Sequence, residues 1–235
     1  DNSYLTIKDC ESYNNTDGIV MEYCTGAEID NCYLHDNTGY YGSGIDIKDH
    51  CSQNRIEKCT INNNQEEGIR IDDWETRDNT FVNNSITIDD ETGIYFGGYD
   101  ALNNDIGYSN VVNGTPILML SNEDNVTLEG RSAVHTSKIT ATNYGSIIIN
   151  DCDNVTVSNC TAANSKNSGF WVSGDNTNLM IKDCESYSNY EGLRLIKCSG
   201  VEIIDCYIHH NTGLFSKGIN IKDHCSQNLI KGCTI

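Results

Sequence analysis

Along this chain, short runs of alternating apolar and polar positions recur behind a small residue. The pattern reads Gly18-Ile19-Val20-Met21, Gly44-Ile45-Asp46-Ile47, Gly68-Ile69-Arg70-Ile71 and Gly93-Ile94-Tyr95-Phe96. It weakens at Pro116-Ile117-Leu118-Met119 and Ser146-Ile147-Ile148-Ile149. It returns as Gly169-Phe170-Trp171-Val172, Gly192-Leu193-Arg194-Leu195 and Gly218-Ile219-Asn220-Ile221. Alternation over four or five residues, rich in isoleucine and bounded by Gly, Asn and Asp, predicts short strands. The nine markers stand 23 to 30 residues apart, so they predict nine stacked coils.

A second marker lies inside each coil: an apolar residue followed three positions later by cysteine. It occurs as Ile7/Cys10, Ile29/Cys32, Ile56/Cys59, Val157/Cys160, Ile181/Cys184, Ile203/Cys206 and Ile230/Cys233, with Phe81/Asn84 filling the same slots. No sustained helical period appears, and the chain holds one proline. The two markers together predict an all-β fold, a right-handed single-stranded parallel β-helix of about nine coils. At about 4.8 Å per coil such a stack runs roughly 40 Å.

The repeated N-x-x-I-x-x-[CN]-x-I…G-I-x-I pattern resembles the parallel β-helix repeat of the pectin-lyase-like superfamily. That group includes polysaccharide lyases and hydrolases, NosD-type periplasmic proteins, phage tailspikes and archaeal or bacterial surface proteins. The resemblance implies the fold and leaves the function open, because one fold hosts many activities.

A longer repeat overlies the short one. Tyr4–Ile61 aligns without gaps on Asn178–Ile235, displaced by 174 positions, with 34 of 58 residues identical. The block Ile47–Asn54 returns verbatim as Ile221–Asn228. We expect one β-helix domain over residues 1–235, an excerpt of a longer repetitive protein. Neither end carries the polar cap a solenoid uses to protect its strand edges. Further coils or other copies of the chain are therefore the expected partners there.

Composition narrows the partners. With 34 acidic and 15 basic residues the net charge is −19, which disfavours nucleic acid. No apolar run reaches the length of a membrane span. Ten of the twelve cysteines fall in pairs eight apart. Extended chain between such partners exceeds disulfide reach, whereas cysteines stacked between coils lie close enough but point the same way. Buried reduced ladders are the leading reading; disulfides and metal binding stay open.

Outward positions of the Gly-Ile-x-Ile strands form a column: Val20, Asp46, Arg70, Tyr95, Leu118, Ile148, Trp171, Arg194, Asn220. Its centre, Tyr95, Leu118, Leu120, Ile148 and Trp171 between Arg70 and Arg194, predicts an apolar and aromatic interaction patch. Aromatic faces suit sugar rings and arginine suits their carboxylates; a covering loop is the alternative. Candidate catalytic groups are Arg70, Asp72 and Asp73. Asp89, Asp90 and Glu91 are candidate calcium ligands, the one cofactor the residues suggest.

Asn15-Thr16-Asp17-Gly18 matches a polygalacturonase motif, but the aspartate pair and Gly-His-Gly of that family are missing, so it reads as a tight turn. His35/His209 and His50/His224 occupy matching turns of the long repeat; a His-Cys step such as His50-Cys51 could ligate zinc or copper. Six N-x-S/T sequons permit glycosylation. The leading expectation is a non-catalytic extracellular or cell-surface scaffold or adhesin, assembling laterally or end to end. The alternative is a polysaccharide-binding or polysaccharide-degrading lyase or hydrolase with a groove along the same sheet.

Overall fold

The computed structural model describes residues 2–40, 42–72, 75–88, 92–97, 99–107, 109–134, 145–165, 167–213 and 216–235. They belong to two compact units, the first Asp1–Ile117 with Ala141–Asn143, the second Leu118–Thr140 with Tyr144–Ile235. Each is a parallel β-helix in which the chain visits three sheets in turn, once per coil. Among the described residues the only helical element is a 3-10 turn over Tyr99–Asn103, and no helix is long and apolar enough to cross a membrane.

In the first unit the Gly-Ile-x-Ile strands are Ile19–Glu22, Ile45–Lys48, Glu67–Ile71 and Thr92–Phe96. Their register places Ile19 on Ile45, Ile45 on Ile69 and Ile69 on Ile94. Ile45, Ile69 and Ile94 are fully buried. Burying each such side chain contributes about 1.5–3 kcal/mol. In the second unit the matching strands are Leu118–Ser121, Gly145–Asn150, Ser168–Ser173, Glu191–Ile196 and Lys217–Lys222. Ile147, Phe170 and Leu193 stack there in one interior file.

The small residue before each strand is set by close approach between coils. A Cβ on Gly44 would lie 2.4 Å from Ile61 Cγ2 and 2.7 Å from the Gly68 carbonyl oxygen. One on Gly192 would lie 2.2 Å from Ile208 Cγ2 and 2.5 Å from the Gly218 carbonyl oxygen. Neither gap admits a methyl group.

The apolar-x-x-Cys spacing follows from a backbone corner. In an extended strand residues three apart face opposite sides. Here the residue just before the cysteine, or before Asn84 in its slot, is left-handed: Asp9, Asn31, Lys58, Asn83, Asn159, Asp183 and Asp205 all have φ between 50° and 55°. That kink turns the chain so that Ile29 and Cys32, or Ile56 and Cys59, both point inward. Asn and Asp dominate these corners because their short polar side chains tolerate the left-handed region.

Buried polar groups are satisfied by ladders running from coil to coil. Asn54 N–H donates to Asn79 Oδ1 at 3.0 Å, and Asn79 N–H donates to Asn104 Oδ1 at 3.0 Å. Asn79 Nδ2 donates in turn to the Cys51 carbonyl at 3.0 Å. Cysteine fills the same role elsewhere: Cys24 N–H donates to Cys51 Sγ at 3.4 Å, and Cys198 N–H to Cys225 Sγ at 3.5 Å. All twelve cysteines are free thiols, and most are buried. Burial pushes the Cys51 thiol up to about 11 and those of Cys59 and Cys198 up to about 12.

Candidate functional site

The expected outward column divides between the two units. In the first, Asp46, Arg70 and Tyr95 stand in register on consecutive coils. Arg70 places its guanidinium carbon 4.9 Å from the Tyr95 ring centroid. Its Nη2 donates to Asp72 Oδ2 at 2.7 Å, its Nη1 lies 3.7 Å from Glu67 Oε1, and its Nε lies 3.9 Å from Asp46 Oδ1. Asp46 and Glu67 are almost wholly buried. Burial raises both carboxyls above the usual range, against the pull of Lys48 on Asp46 and of Arg70 on Glu67. Ser43 Oγ donates to Glu67 Oε2 at 3.2 Å. A carboxyl held up in this way can serve as a proton donor.

The second unit repeats the local spelling, Glu191-Gly192-Leu193-Arg194 for Glu67-Gly68-Ile69-Arg70, with the order of neighbours reversed. In the first unit the acidic partner precedes the arginine and the aromatic follows; here Trp171 precedes Arg194 and Asn220 follows. The Arg194 guanidinium carbon lies 4.4 Å from the Trp171 ring centroid. Its Nε lies 3.4 Å from Glu191 Oε2, and its Nη1 donates to Asn167 Oδ1 at 3.3 Å. Glu191, 2% exposed, also accepts from Asn220 Nδ2 at 2.7 Å and from Lys217 Nζ at 3.3 Å. Each arginine is thus held by groups of its own coil and of the adjoining coils.

Four residues expected in the open patch are corrected. Leu118 and Leu120 do not face outward: Leu118 pairs with Ile147 and Leu120 with Ile149, so both belong to the interior files and Met119 takes the outward slot. Ile148 is fully buried and Trp171 is 3% exposed, so neither offers an open apolar surface. Tyr95 and Arg70 remain half-buried. Asp72 reaches the surface beside Arg70, while Asp73, Asp89, Asp90 and Glu91 lie outside the described residues.

One acidic cluster does converge. Glu28, Asp30 and Glu57 bring carboxylate oxygens within 4.8 Å of one another. Lysine already engages two of the three: Lys8 binds Asp30, and Lys58 Nζ lies 3.4 Å from Asp30 Oδ1 and 2.8 Å from Glu57 Oε1. Hydrogen bonding to Lys8 first, and then to Lys58, holds the Asp30 carboxyl below its ordinary value. Asp30 and Glu57 are thus held in an ion-pair network.

A further arrangement was not assembled from the sequence. Glu11 and Tyr13 stand over Tyr33 and His35 on the next coil. The His35 ring stacks with both Tyr13, centroids 5.2 Å apart, and Tyr33, 4.1 Å apart. His35 Nε2 meets Glu11 Oε1 at 3.1 Å and Nδ1 meets Asp36 Oδ2 at 2.7 Å. The second unit builds the same cage from Glu185, Tyr187, Tyr207 and His209, with ring separations of 5.4 and 3.9 Å and a 3.0 Å contact from His209 Nε2 to Glu185 Oε1. Its signal was E-x-Y followed one coil later by Y-x-H, intact in both copies of the long repeat.

A family model described as right handed beta helix region matches residues 1–130 and 87–235. No curated protein sequence matches the chain. Among solved structures, it is similar to tailspike protein 2 from Escherichia coli O157:H7 bacteriophage CAB120, at 13% identity and TM-score 0.41, over 99% of this chain and 29% of that one. It is similar also to the mannuronan C-5 epimerase A-module of Azotobacter vinelandii, at 12% identity and TM-score 0.36, over 100% of this chain and 56% of that one. A third is PfbA, a surface adhesin of Streptococcus pneumoniae, at 12% identity and TM-score 0.38, over 98% of this chain and 60% of that one. The chain therefore spans less than two thirds of the length of each.

Proposed function

Because this chain belongs to the right-handed β-helix family, we propose that it is a non-catalytic scaffold of the cell surface or extracellular space. The observation that carries the reading is the fate of the outward charged groups. Arg194 reaches Trp171 on one side and Glu191 on its own strand, and Glu191 in turn reaches Lys217 and Asn220 on the coil beyond. Side chains placed where an enzyme would receive substrate are spent here on tying coils together. Such ties suit a protein selected for rigidity.

Contact with further coils or with another copy of the chain is part of the proposal. The first coil of one unit opens a cavity of about 490 Å³ lined by Ile7, Ile19, Met21 and Ile29. Ile221, Ile230 and Ile235 are exposed in the last coil of the other unit. Apolar surface of this kind marks interaction sites.

A second reading, action on polysaccharides, is favoured by one observation: the raised carboxyls of Asp46 and Glu67 beside half-exposed Arg70 and Tyr95. A lyase and hydrolase screen on anionic and neutral polysaccharides, run with glycan-array binding, separates the two. The scaffold reading expects no turnover. Turnover abolished by Arg70→Ala or Asp46→Asn in a folded variant would replace it with the enzyme.

A further inference from the structure

The two tyrosine–histidine cages differ at one polar position, and that position changes what the histidine can bind. In both cages two tyrosine rings lie near-parallel to the imidazole and a glutamate holds Nε2. Only Nδ1 is left to a fourth partner. In the first unit that partner is the Asp36 carboxylate. The long repeat replaces Asp36 by His210, whose Nδ1 lies 2.6 Å from His209 Nδ1 with the rings nearly perpendicular at 85°.

We propose that His209 and His210 form a binding site for a divalent late-transition-metal cation of the nickel, copper or zinc type. With Nε2–H donated to Glu185, His209 carries its lone pair on Nδ1. In protein metal sites a histidine ligand usually donates its other nitrogen's proton to a carboxylate or carbonyl, which fixes the tautomer and raises ligand basicity. The tyrosine stack removes the ring rotation that metal binding would otherwise have to freeze. His210 is exposed, which leaves room for water to complete the coordination.

The spacing is close to what an ion requires. Two imidazole nitrogens at about 2.05 Å from a metal and about 90° apart are separated by about 2.9 Å. The observed 2.6 Å needs to open by a few tenths of an ångström, with the exposed His210 ring swinging off the His209 Nδ1 axis so that an ion can sit there. Without metal, one Nδ1–H donates to the other Nδ1. With metal, the Nδ1 proton of His210 moves to its Nε2 and the His210 lone pair joins that of the fixed His209 ring at the ion, so the tautomer change releases no net proton. The first unit lacks this option, because carboxylates at both nitrogens of His35 hold both as N–H donors.

The duplication supplies its own control. Titration of tag-free full-length protein with Ni²⁺, followed by calorimetry, is expected to show one saturable equivalent, with selective paramagnetic broadening of the His209 and His210 ring protons. H210D, which rebuilds the first unit's cage, is expected to weaken binding by at least about tenfold. D36H is expected to add a second equivalent. E185Q should keep the stoichiometry and weaken affinity by about 10–100-fold, the usual cost of losing a carboxylate behind a histidine ligand. Unchanged Ni²⁺ binding in folded H210D would overturn the site, as would a folded D36H that gains nothing or a native protein with no saturable binding. Broadening centred on other histidines would do the same without any variant.

Discussion

The backbone N–H of Cys59 donates to Oδ1 of Asn84, one coil further on, at 2.9 Å. At this step a file of thiols, Cys10, Cys32 and Cys59, gives way to a file of amides, Asn84 and then Asn110. Cysteine and asparagine are interchangeable here because each offers an inward acceptor to the previous coil and a donor to a nearby carbonyl. The amide does both more strongly, and its loss should be felt. Asn79→Ala strands the Asn54 N–H in the interior, at a cost of about 1–3 kcal/mol, while the Cys51 carbonyl keeps its bond from Arg77 N–H at 3.1 Å. Urea unfolding should show a lower midpoint with an unchanged slope; a midpoint within error of the parent would count against the ladder as a source of stability.

Removing one member of a buried ion pair costs about 3–5 kcal/mol, because the other charge stays buried alone. Arg194→Met should act in this way on Glu191, softened by the Lys217 and Asn220 contacts that remain. Adding Glu191→Gln to Arg194→Met should restore much of the loss. A double-mutant cycle with no coupling between the two positions would refute the buried ion pair on this strand.

Thiol chemistry should follow burial. Thiolate is the reactive form, and burial holds Cys51, Cys59 and Cys198 well above neutral pH. Maleimide applied to native protein at pH 7 should modify exposed Cys10 first, then the half-buried Cys225 and Cys233, with the other cysteines protected until unfolding. Peptide mapping by mass reads the order. Disulfide-linked peptides recovered from unreduced native protein would show that the files are oxidised.

The first cage is expected to be pH-sensitive. Hydrogen bonding to Asp36, and then to Glu11, raises the His35 pKa above its ordinary value. A histidine with a raised folded-state pKa contributes stability that is fully present below its unfolded value, about 6.5, and is lost as pH rises through the folded one. NMR titration should place His35 above a model-peptide histidine, and Asp36→Asn should bring it down. A His35 titration unmoved by that substitution would remove Asp36 as the cause.

Much of the fold could be read from the residues because its rules are local. The Gly-Ile-x-Ile strands need only alternation, and the apolar-x-x-Cys spacing reports a left-handed corner whose Asn and Asp stand in plain view. Leu118 was misplaced for an equally local reason. Ile117, Leu118, Met119 and Leu120 are all apolar, and a run with no polar member carries no phase, so a one-residue slip exchanges inside for outside. Pro116 was also taken as the small residue before that strand, whereas it pairs antiparallel with Val111. The burial of Trp171 was hidden differently. Alternation correctly turned it outward, but its cover includes Arg194, supplied by the next coil. The same holds for the tyrosine–histidine cages, whose members are adjacent only once coils are in register.

The ladder bonds reach one winding along the stack and stop there: Asn54 touches Asn79, and Asn79 touches Asn104. A genetic event that copies whole windings therefore leaves both joins with partners of the expected kind. For such a lineage, length is an easy trait to change, and a spare copy such as the one bearing His210 is free to acquire chemistry that its twin does not have.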